Sequence, residues 1–330
     1  MNDCGAVMFR GMIRCFATAA CLVAWPATAW PQEYPVRPVR LLVPFAAGGG
    51  LSLIGRVMAQ KLSAALGQTV VLENRPGANG NIAAELVAKS APDGYTLLFG
   101  NSSLTISPAV YHKLAYDPAR DLAPISMVSS LPFVLSVHPS MPVHSVKELI
   151  ALAKAKPGAL DYASAGTGSL SHLSMELVRL RTGIKVVHLP YKGSAPAQIA
   201  VLSGEAQCSF LGVPGAHSEI KAGRLRGLGV TTKTRAAVIP QVPTMQEAGI
   251  AGYDVLQWNG LFAPTGTPRS VLDRLYRELT RALATSEFKQ QLKALGTDPQ
   301  GSTPSEFASF FRAETEKWAE VAKRSGTRLD

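Results

Sequence analysis

Residues 39–62 read VRLLVPFAAGGGLSLIGRVMAQKL: a short apolar run, a glycine-rich turn, and then apolar residues at helical spacing. The run from Val39 to Val43 predicts a strand covered on both faces, because such strands are apolar throughout. Ser52 is predicted to open a helix, since the apolar residues that follow it recur every three or four positions. This stretch therefore predicts a strand and a helix joined by the glycines at 48–50.

The same order recurs at residues 160–181, which read LDYASAGTGSLSHLSMELVRLR. Here the strand ends at Ser164, a turn with two glycines follows, and the helix begins at Ser169 and stops at Gly183. Strands that alternate with helices predict βαβ units, and hence an α/β fold with two largely parallel sheets. The other predicted strands lie at 69–73, 95–99, 133–137, 185–188, 206–210 and 225–231, and the C-terminal third is predicted to be helical, with caps at Thr267-Pro268 and Thr303-Pro304-Ser305-Glu306.

Each glycine turn, at 48–50 and at 166–168, stands between a strand and a helix. In open α/β sheets, ligands bind at the carboxyl ends of strands, where helix N-termini offer free N–H groups and a partial positive charge. Two such turns predict a site for a small anion. The alternative is that the glycines only allow the chain to turn. A dinucleotide is not predicted, because Ser171 replaces the third glycine of its fingerprint and no acidic residue follows at the required spacing. No cofactor is expected.

The N-terminus has the three parts of a secretory signal peptide. Arg10 and Arg14 precede an apolar run at 15–25, and Ala27-Thr28-Ala29 follows as a cleavage pattern. The apolar run is shorter than the ~20 residues that cross a bilayer. We therefore expect residues 1–29 to be removed and the mature chain to be periplasmic. A buried N-terminal helix and a lipid anchor are the alternatives.

Charge and cysteine content limit the partners of the mature chain. Residues 1–29 carry two of the 33 basic and one of the 23 acidic residues, so their removal leaves a net charge of +9. The chain therefore favours anionic ligands. Nucleic acid is not expected, because the basic residues are scattered and aromatic residues are not interleaved with them. Cys208 is the one cysteine left, so no internal disulfide is expected, and we expect a monomer.

The chain shows no catalytic or metal-binding pattern. Ser164 lacks the glycine two residues before it that a nucleophile elbow needs, and Cys208 lies in a strand-like run typical of a core residue. The histidines are not at the spacing of metal ligands. His172, one turn into the helix after the second glycine turn, has two interpretations: a structural histidine or a ligand contact. An enzyme is therefore not predicted.

Several segments together carry a resemblance to one family. The most specific are ENRPGANGNIA at 73–83 and APDGYTL at 91–97. The match continues with YASAGTGS at 162–169, PYKG at 190–193 and VPTMQEAG at 242–249. Over nearly all of the mature chain, the sequence resembles the Bug-type receptors of the tripartite tricarboxylate transporters.

The resemblance implies a two-lobed periplasmic-binding-protein fold of type II that closes on a ligand in the cleft between the lobes. Crossings near 131 and 256 would place 30–131 and 257–330 in lobe 1 and 132–256 in lobe 2. It also implies a small carboxylate ligand and, as further partners, membrane transporter subunits. The candidate ligand-binding residues at the family's motif positions are Ala47, Gly48, Gly49, Ser52, Asn101, Ser102, Ser164, Gly166, Thr167, Gly168, Ser169, His172, Tyr191 and Lys192.

Three positions depart from the family pattern. Ser52 stands where an Asp is common, and Gln207 and Leu211 stand where acidic residues are usual. Serine caps a helix as well as aspartate does, but it cannot neutralise an ammonium group. We therefore expect a ligand without positive charge, such as a dicarboxylate or an aromatic carboxylate. The alternative is that Ser52 only caps the helix and gives no information about the ligand. An orphan receptor or sensor for the same ligands, and an exported hydrolase, are the alternative functions.

Overall fold

The computed structural model describes residues 33–329, so the expected signal peptide lies outside the described residues. The first part alternates strands and helices as the sequence predicts. Strand β1 buries Val39, Leu41 and Val43, and helix α1 buries Ile54 and Met58 against the sheet. The elements in order are β1 (Val39–Val43), α1 (Gly50–Leu66), β2 (Val70–Asn74), α2 (Asn81–Ala88), β3 (Thr96–Asn101) and α3 (Ser103–Val110).

The middle of the chain begins with a strand much longer than the sequence predicts. The expected strand at 133–137 is the last third of β4, which is 16 residues long. The second glycine turn follows β5 and precedes a helix that Gly183 ends in a left-handed conformation, as predicted. The elements are α4 (Pro118–Asp121), β4 (Leu122–Val137), α5 (Val146–Ala155), β5 (Asp161–Ser164), α6 (Leu170–Thr182), β6 (Val187–Pro190), α7 (Ser194–Leu202), β7 (Cys208–Gly212), α8 (Val213–Lys221) and β8 (Arg226–Val230).

The C-terminal part is mainly helical, after one further long strand. It comprises β9 (Leu256–Pro264), α9 (Arg269–Ala284), α10 (Ser286–Ala294), the short β10 (Asp298–Pro299) and α11 (Pro304–Ser325). The predicted capping box at the start of α11 is confirmed: Thr303 accepts from the Glu306 N–H, and the Glu306 carboxylate accepts from the Thr303 N–H. The predicted cap at Thr267 is wrong by one residue, because Pro268 occupies the N-cap of α9. None of the described helices is long and apolar enough to cross a membrane.

The strands form one mixed sheet rather than two parallel ones. Its order is β2-β1-β3-β9-β4-β7-β5-β6, with β8 and β10 also paired to β4. The pairs within each predicted βα set are parallel, namely β1 with β2 and β3, and β5 with β6 and β7. All pairs of β4 and β9 are antiparallel. The expectation of a largely parallel architecture was wrong because these two long strands join the sets.

Strand β4 links the two βα sets directly. Its first part, Leu122 to Pro132, pairs with β9, and its last part, Phe133 to Val137, pairs with β7 and β8. The change of partner falls beside position 131, where the sequence predicts a crossing. Strand β9 begins at Leu256, beside the second predicted crossing.

Helix α11 contacts the buried cores on both sides of this link. Near its start, Phe307 packs edge-on against Trp258 in the cluster that contains β3 and β9 residues. Near its end, Trp318 belongs to the cluster of Tyr253 and the α6 side chains. Helix α3 also reaches this second cluster, through Val110. Helices α3 and α11 thus contribute to the same two cores as strand β4.

Candidate functional site

A cleft of about 530 Å³ lies where the strands of both βα sets end. Small-molecule sites typically have volumes of 300–1,000 Å³. Five helices turn their N-terminal ends into the cleft, because each follows a strand whose carboxyl end faces it. The cleft-lining residues at these ends are Gly50, Leu51 and Ile54 (α1), Ser102, Ser103 and Ile106 (α3), Ser169, Leu170 and Ser171 (α6), Gly193, Ser194, Ala197 and Gln198 (α7), and Gly212, Pro214 and Gly215 (α8).

The described lining contains no Asp, Glu, Lys, Arg or His residue. Its polar side chains are hydroxyls and amides, and the remaining residues are apolar or glycine. Each helix N-terminus carries about half a positive charge from its aligned peptide dipoles. The cleft is therefore electropositive without a basic side chain, which suits a small anion.

Four of the five helices have no side-chain cap. Gly49, Ser102, Gly193 and Gly212 occupy the N-cap positions of α1, α3, α7 and α8, and none of them caps with its side chain. First-turn N–H groups have no acceptor within their own helix. In this cleft those of α1, α7 and α8 are available to a ligand or to water, whereas the Ser103 N–H of α3 donates to Asn101 Oδ1. Only α6 is capped, by Ser169, whose hydroxyl accepts from the His172 N–H at 3.3 Å.

The second glycine turn is held from beneath by side chains. The Gly166 N–H donates to Ser164 Oγ at 3.1 Å, and the Gly168 N–H donates to His172 Nδ1 at 3.1 Å. The Ala165 N–H donates to Ser171 Oγ at 3.0 Å. These amides are therefore already bonded. Five residues of the predicted site are not among the cleft-lining residues, namely 164, 166, 167, 168 and 172. The cleft is lined instead by Ala165 and by 169–171.

The structural interpretation of His172 is the one that the geometry favours. Its ring is buried, stacks on His188 with centroids 4.0 Å apart, and lies parallel to the Tyr162 ring. Burial lowers the pKa of His172 to about 3, with His188 and Arg179 as the next causes. The imidazole is therefore neutral, and its Nδ1 is fixed as an acceptor for the turn.

Ser164 Oγ lies 2.6 Å from His188 Nε2, a distance typical of a catalytic nucleophile and its general base. Ser164 is fully buried beneath the turn, however, so its hydroxyl is not presented to the cleft. Cys208 is equally buried, and burial raises the pKa of its thiol to about 12. Within residues 33–329, no group of His, Cys, Asp and Glu side chains is placed to hold a metal ion.

In the first glycine turn, the residue that lines the cleft lies later in the sequence than the predicted ones. Ala47, Gly48 and Gly49 are exposed but are not among the cleft-lining residues, whereas Gly50 is. Ser52 does not open α1 and does not face the cleft. It is fully buried in the first turn of the helix, and its Oγ bonds to the Asn74 side chain.

The interpretation of Ser52 as a helix cap is therefore wrong, because Gly49 holds the N-cap position. Asn74 in turn donates to the Phe45 carbonyl at 2.7 Å, and Phe45 lines the cleft. Ser52 thus supports the loop that carries Phe45. Of the other departures from the family pattern, Gln207 accepts from the Asp161 N–H, and only Leu211 lines the cleft.

Asn101 and Ser102 line the cleft as predicted at the end of β3. The Asn101 Oδ1 accepts from the N–H and hydroxyl of Ser103, and Ser102 donates to Gln257 Oε1 at 2.8 Å. Asn101 is also in register with Asn259 of β9, which lines the same cleft. These amides and hydroxyls form a polar side of the cleft.

Tyr191 and Lys192 lie next to the cleft without lining it. The Tyr191 hydroxyl donates to Glu205 at 2.7 Å, and Lys192 is exposed. Gly193 takes their place in the lining. Residues that the sequence analysis missed come from β4, β7, β9 and the segment after α10. They are Leu131, Phe133, Phe210, Gln257, Asn259, Leu295 and Thr297, and no glycine turn marks them in the sequence.

Comparisons with known proteins agree with this architecture. The periplasmic binding protein BugD has a TM-score of 0.76 and 32% identity to this chain, covering 90% of this chain and 100% of BugD. Rpa4515 of R. palustris, solved with adipate, has a TM-score of 0.79 and 36% identity, with the same coverage. The fold is therefore that of a periplasmic binding protein.

Sequence comparison narrows the class to one family. Residues 54–327 match the family model described as the tripartite tricarboxylate transporter family receptor. Protein BugT of Bordetella pertussis is 36% identical over 323 residues, covering 96% of this chain and 99% of BugT. This chain belongs to the tripartite tricarboxylate transporter family of receptors, whose members bind solutes.

Proposed function

We propose that this chain is an extracytoplasmic receptor that captures a small carboxylate without a positive charge for a tripartite transporter. The observation that carries the proposal is the convergence of five helix N-termini, four of them without side-chain caps, on one uncharged cleft. Rpa4515, which has the same fold at 36% identity, was solved with adipate, a carboxylate. Hydrogen bonds from such amides to a charged group contribute roughly 1.5–3 kcal/mol each.

The absence of acidic residues from the described lining supports the exclusion of amino acids. An ammonium group loses its hydration on entering the cleft, and that loss is costly without a charged partner. The five helix dipoles add repulsion, because their positive ends face the ligand. The ligand is therefore a carboxylate whose other groups are neutral or anionic.

Closure around the ligand follows from the two links between the βα sets. Lobe 1 comprises 30–131 and 257–330, and lobe 2 comprises 132–256. Strand β4 changes partners at the boundary, from β9 to β7 and β8, which supports a hinge there. The candidate site then takes α1 and α3 from lobe 1 and α6, α7 and α8 from lobe 2.

Periplasmic location and delivery to membrane subunits are part of the same proposal. They are supported by family membership and by the signal-peptide pattern of residues 1–29. N-terminal sequencing of the protein from a periplasmic extract should begin within a few residues of Trp30. An intact Met1 would contradict export through a cleaved signal peptide.

Gly50 offers a test of anion binding with a matched control. It lines the cleft, its φ is not in the left-handed region, and a side chain there has no atom within 4 Å. Gly50→Asp places a carboxylate at the start of α1, where it stabilises the helix but repels an anionic ligand. Gly50→Asn has the same shape without the charge.

Calorimetry with adipate should show at least tenfold weaker binding for Gly50→Asp, whereas Gly50→Asn should stay within threefold of the wild type. Both variants should melt within a few degrees of the wild type. Equal affinity in Gly50→Asp and the wild type would remove the α1 N-terminus from the site. Failure of the wild type to bind any carboxylate would contradict the proposed function itself.

A further inference from the structure

One side of the cleft is an apolar wall, formed around Gly212 by Leu131, Phe133, Pro214 and Leu295. A Cβ atom at Gly212 would lie 3.3 Å from Leu131 Cδ1 and 3.9 Å from the rings of Phe133 and Pro214. The Pro214 ring also abuts Gly296, the neighbour of Leu295. Leu131, Phe133 and Leu295 are half-buried, so their side chains are accessible from the cleft.

The apolar wall offers few hydrogen-bond donors. Pro214 has no N–H in the first turn of α8, so this N-terminus presents one donor fewer than those of α1, α3 and α6. The Gln198 amide, at the edge of the wall, donates to the Gly215 carbonyl at 3.0 Å. Thr297, beside Leu295, is buried and donates to the Leu292 carbonyl at 3.1 Å.

The polar side chains of the cleft come from other elements than the apolar wall, although Gln257 is in register with Leu131. Ser102, Ser103 and Asn101 stand at the start of α3, and Gln257 and Asn259 follow on β9. Ser169 and Ser171 stand at the start of α6. The cleft therefore has a polar side that accepts one carboxylate and an apolar wall without a charged residue in the described part of its lining.

We propose that the apolar wall holds an uncharged part of the ligand. The receptor then prefers monocarboxylates with an aliphatic or aromatic body to dicarboxylates of the same length. This inference rests on the proposed function and specifies its substrate class. A second carboxylate against the wall loses its hydration without gaining a cation, whereas a hydrocarbon end gains from leaving water. The Phe133 ring adds a face for packing an aromatic body.

Two ligand pairs test the preference on the wild-type protein. Hexanoate and adipate share a six-carbon chain and differ by one carboxylate, as benzoate and terephthalate differ on one ring. Calorimetry should give a dissociation constant at least tenfold lower for hexanoate than for adipate, and for benzoate than for terephthalate. Tighter binding of either dicarboxylate overturns the inference but leaves the proposed function standing. A protein that binds none of the four contradicts both.

A charge placed in the wall tests its position. Leu131→Arg should raise the adipate-to-hexanoate affinity ratio at least tenfold, because the guanidinium pairs with the second carboxylate. Leu272→Arg is the matched control: Leu272 is a half-buried leucine on α9 that does not line the cleft, and its variant should keep the wild-type ratio. An unchanged adipate-to-hexanoate affinity ratio in a folded Leu131→Arg protein overturns the assignment of the wall. If that variant does not fold, the comparison of ligands on the wild-type protein still tests the preference.

Discussion

His172 supports the second glycine turn from below, and its role explains why a polar residue is buried there. Its Nδ1 accepts the Gly168 N–H, and its ring stacks on His188. An unpaired buried N–H would cost about 1–3 kcal/mol, so the neutral imidazole stabilises the turn by removing that penalty. Glu176 approaches Nε2 at 3.7 Å and is itself bonded to Tyr162 and Arg179.

The lowered pKa of His172 predicts a specific loss of stability in acid. Because the folded pKa of about 3 lies below the unfolded value of about 6.5, the contribution is complete above pH 6.5 and declines as the pH falls towards 3. His172→Asn keeps an acceptor for Gly168 but removes the titration. Between pH 7 and 4.5, the free energy of unfolding of the wild type should fall by about 2 kcal/mol more than that of the variant.

Urea unfolding at several pH values measures this difference. His112→Asn is the control, because His112 is exposed, and its pH profile should follow that of the wild type. Parallel profiles for the wild type and His172→Asn would show that His172 is not buried and neutral in the folded protein.

Individual site residues were predictable only where a local signal marks them. Asn101 and Ser102 follow a strand directly, and they line the cleft. Ser52 has the signal of a helix cap but faces Asn74, because the helix starts two residues earlier and turns position 52 inward. The orientation of a side chain within one helical turn is decided by tertiary packing, which local sequence does not show.

Helix N-termini are the elements that build the electropositive cleft. Four of them begin without a side-chain cap, and three of the N-caps, Gly49, Gly193 and Gly212, are glycines. An uncapped terminus normally costs about 1 kcal/mol of helix stability. The glycine N-caps of α1, α7 and α8 keep the first-turn amides of these helices available for a ligand, which then completes their hydrogen bonding.

The contact between Gly296 and Pro214 predicts how the packing of α8 against the segment after α10 affects binding. Gly296 has φ of +75°, and a Cβ atom there would overlap the Pro214 ring. Gly296→Ala therefore pushes the segment after α10 away from α8 and opens the apolar wall. Gly67→Ala is the control, because Gly67 has φ of +69° but no atom within 4 Å of an added Cβ.

Both alanine variants should lose about 1–2 kcal/mol of unfolding free energy, since alanine is strained at such φ values. Only Gly296→Ala should also bind hexanoate at least fivefold more weakly, as measured by calorimetry. Equal hexanoate affinity in the two variants would mean that the contact does not shape the cleft.

The predicted strands and helices were mostly correct in kind, because apolar periodicity is a local property. The strand of residues 39–43 and the capping box at Thr303 are confirmed at the residues predicted. The length of β4 was not predictable. Its first part contains Pro124 and three serines, and it becomes a strand because β9, more than 100 residues away, pairs with it. Antiparallel joins of this kind depend on distant partners and leave no local pattern.

In the molecule as a whole, β4, α3 and α11 connect the two cores. The proposed hinge at the change of partner in β4 would let the cores move as rigid bodies, while α11 stays packed on both. This arrangement allows a limited closing movement rather than free rotation, since Trp318 and Phe307 anchor the two ends of one helix.

Small-angle scattering should detect this closure. Saturating carboxylate should reduce the radius of gyration of the wild type, because the five N-termini draw together around the anion. Gly50→Asp provides the control, since at the same ligand concentration it should show a smaller reduction or none. A radius that does not change in the wild type at saturation would count against closure.

An uncharged cleft of helix N-termini should bind a carboxylate and reject a cation. Calorimetry can test it with the tighter binder of hexanoate and adipate, the amide of that acid, and its 2-amino derivative. The amide removes the anion, and the amino group adds a positive charge for which the described lining has no acidic partner. Both derivatives should bind at least tenfold more weakly than the parent acid. An amide or an amino acid that binds as tightly as the acid would contradict it.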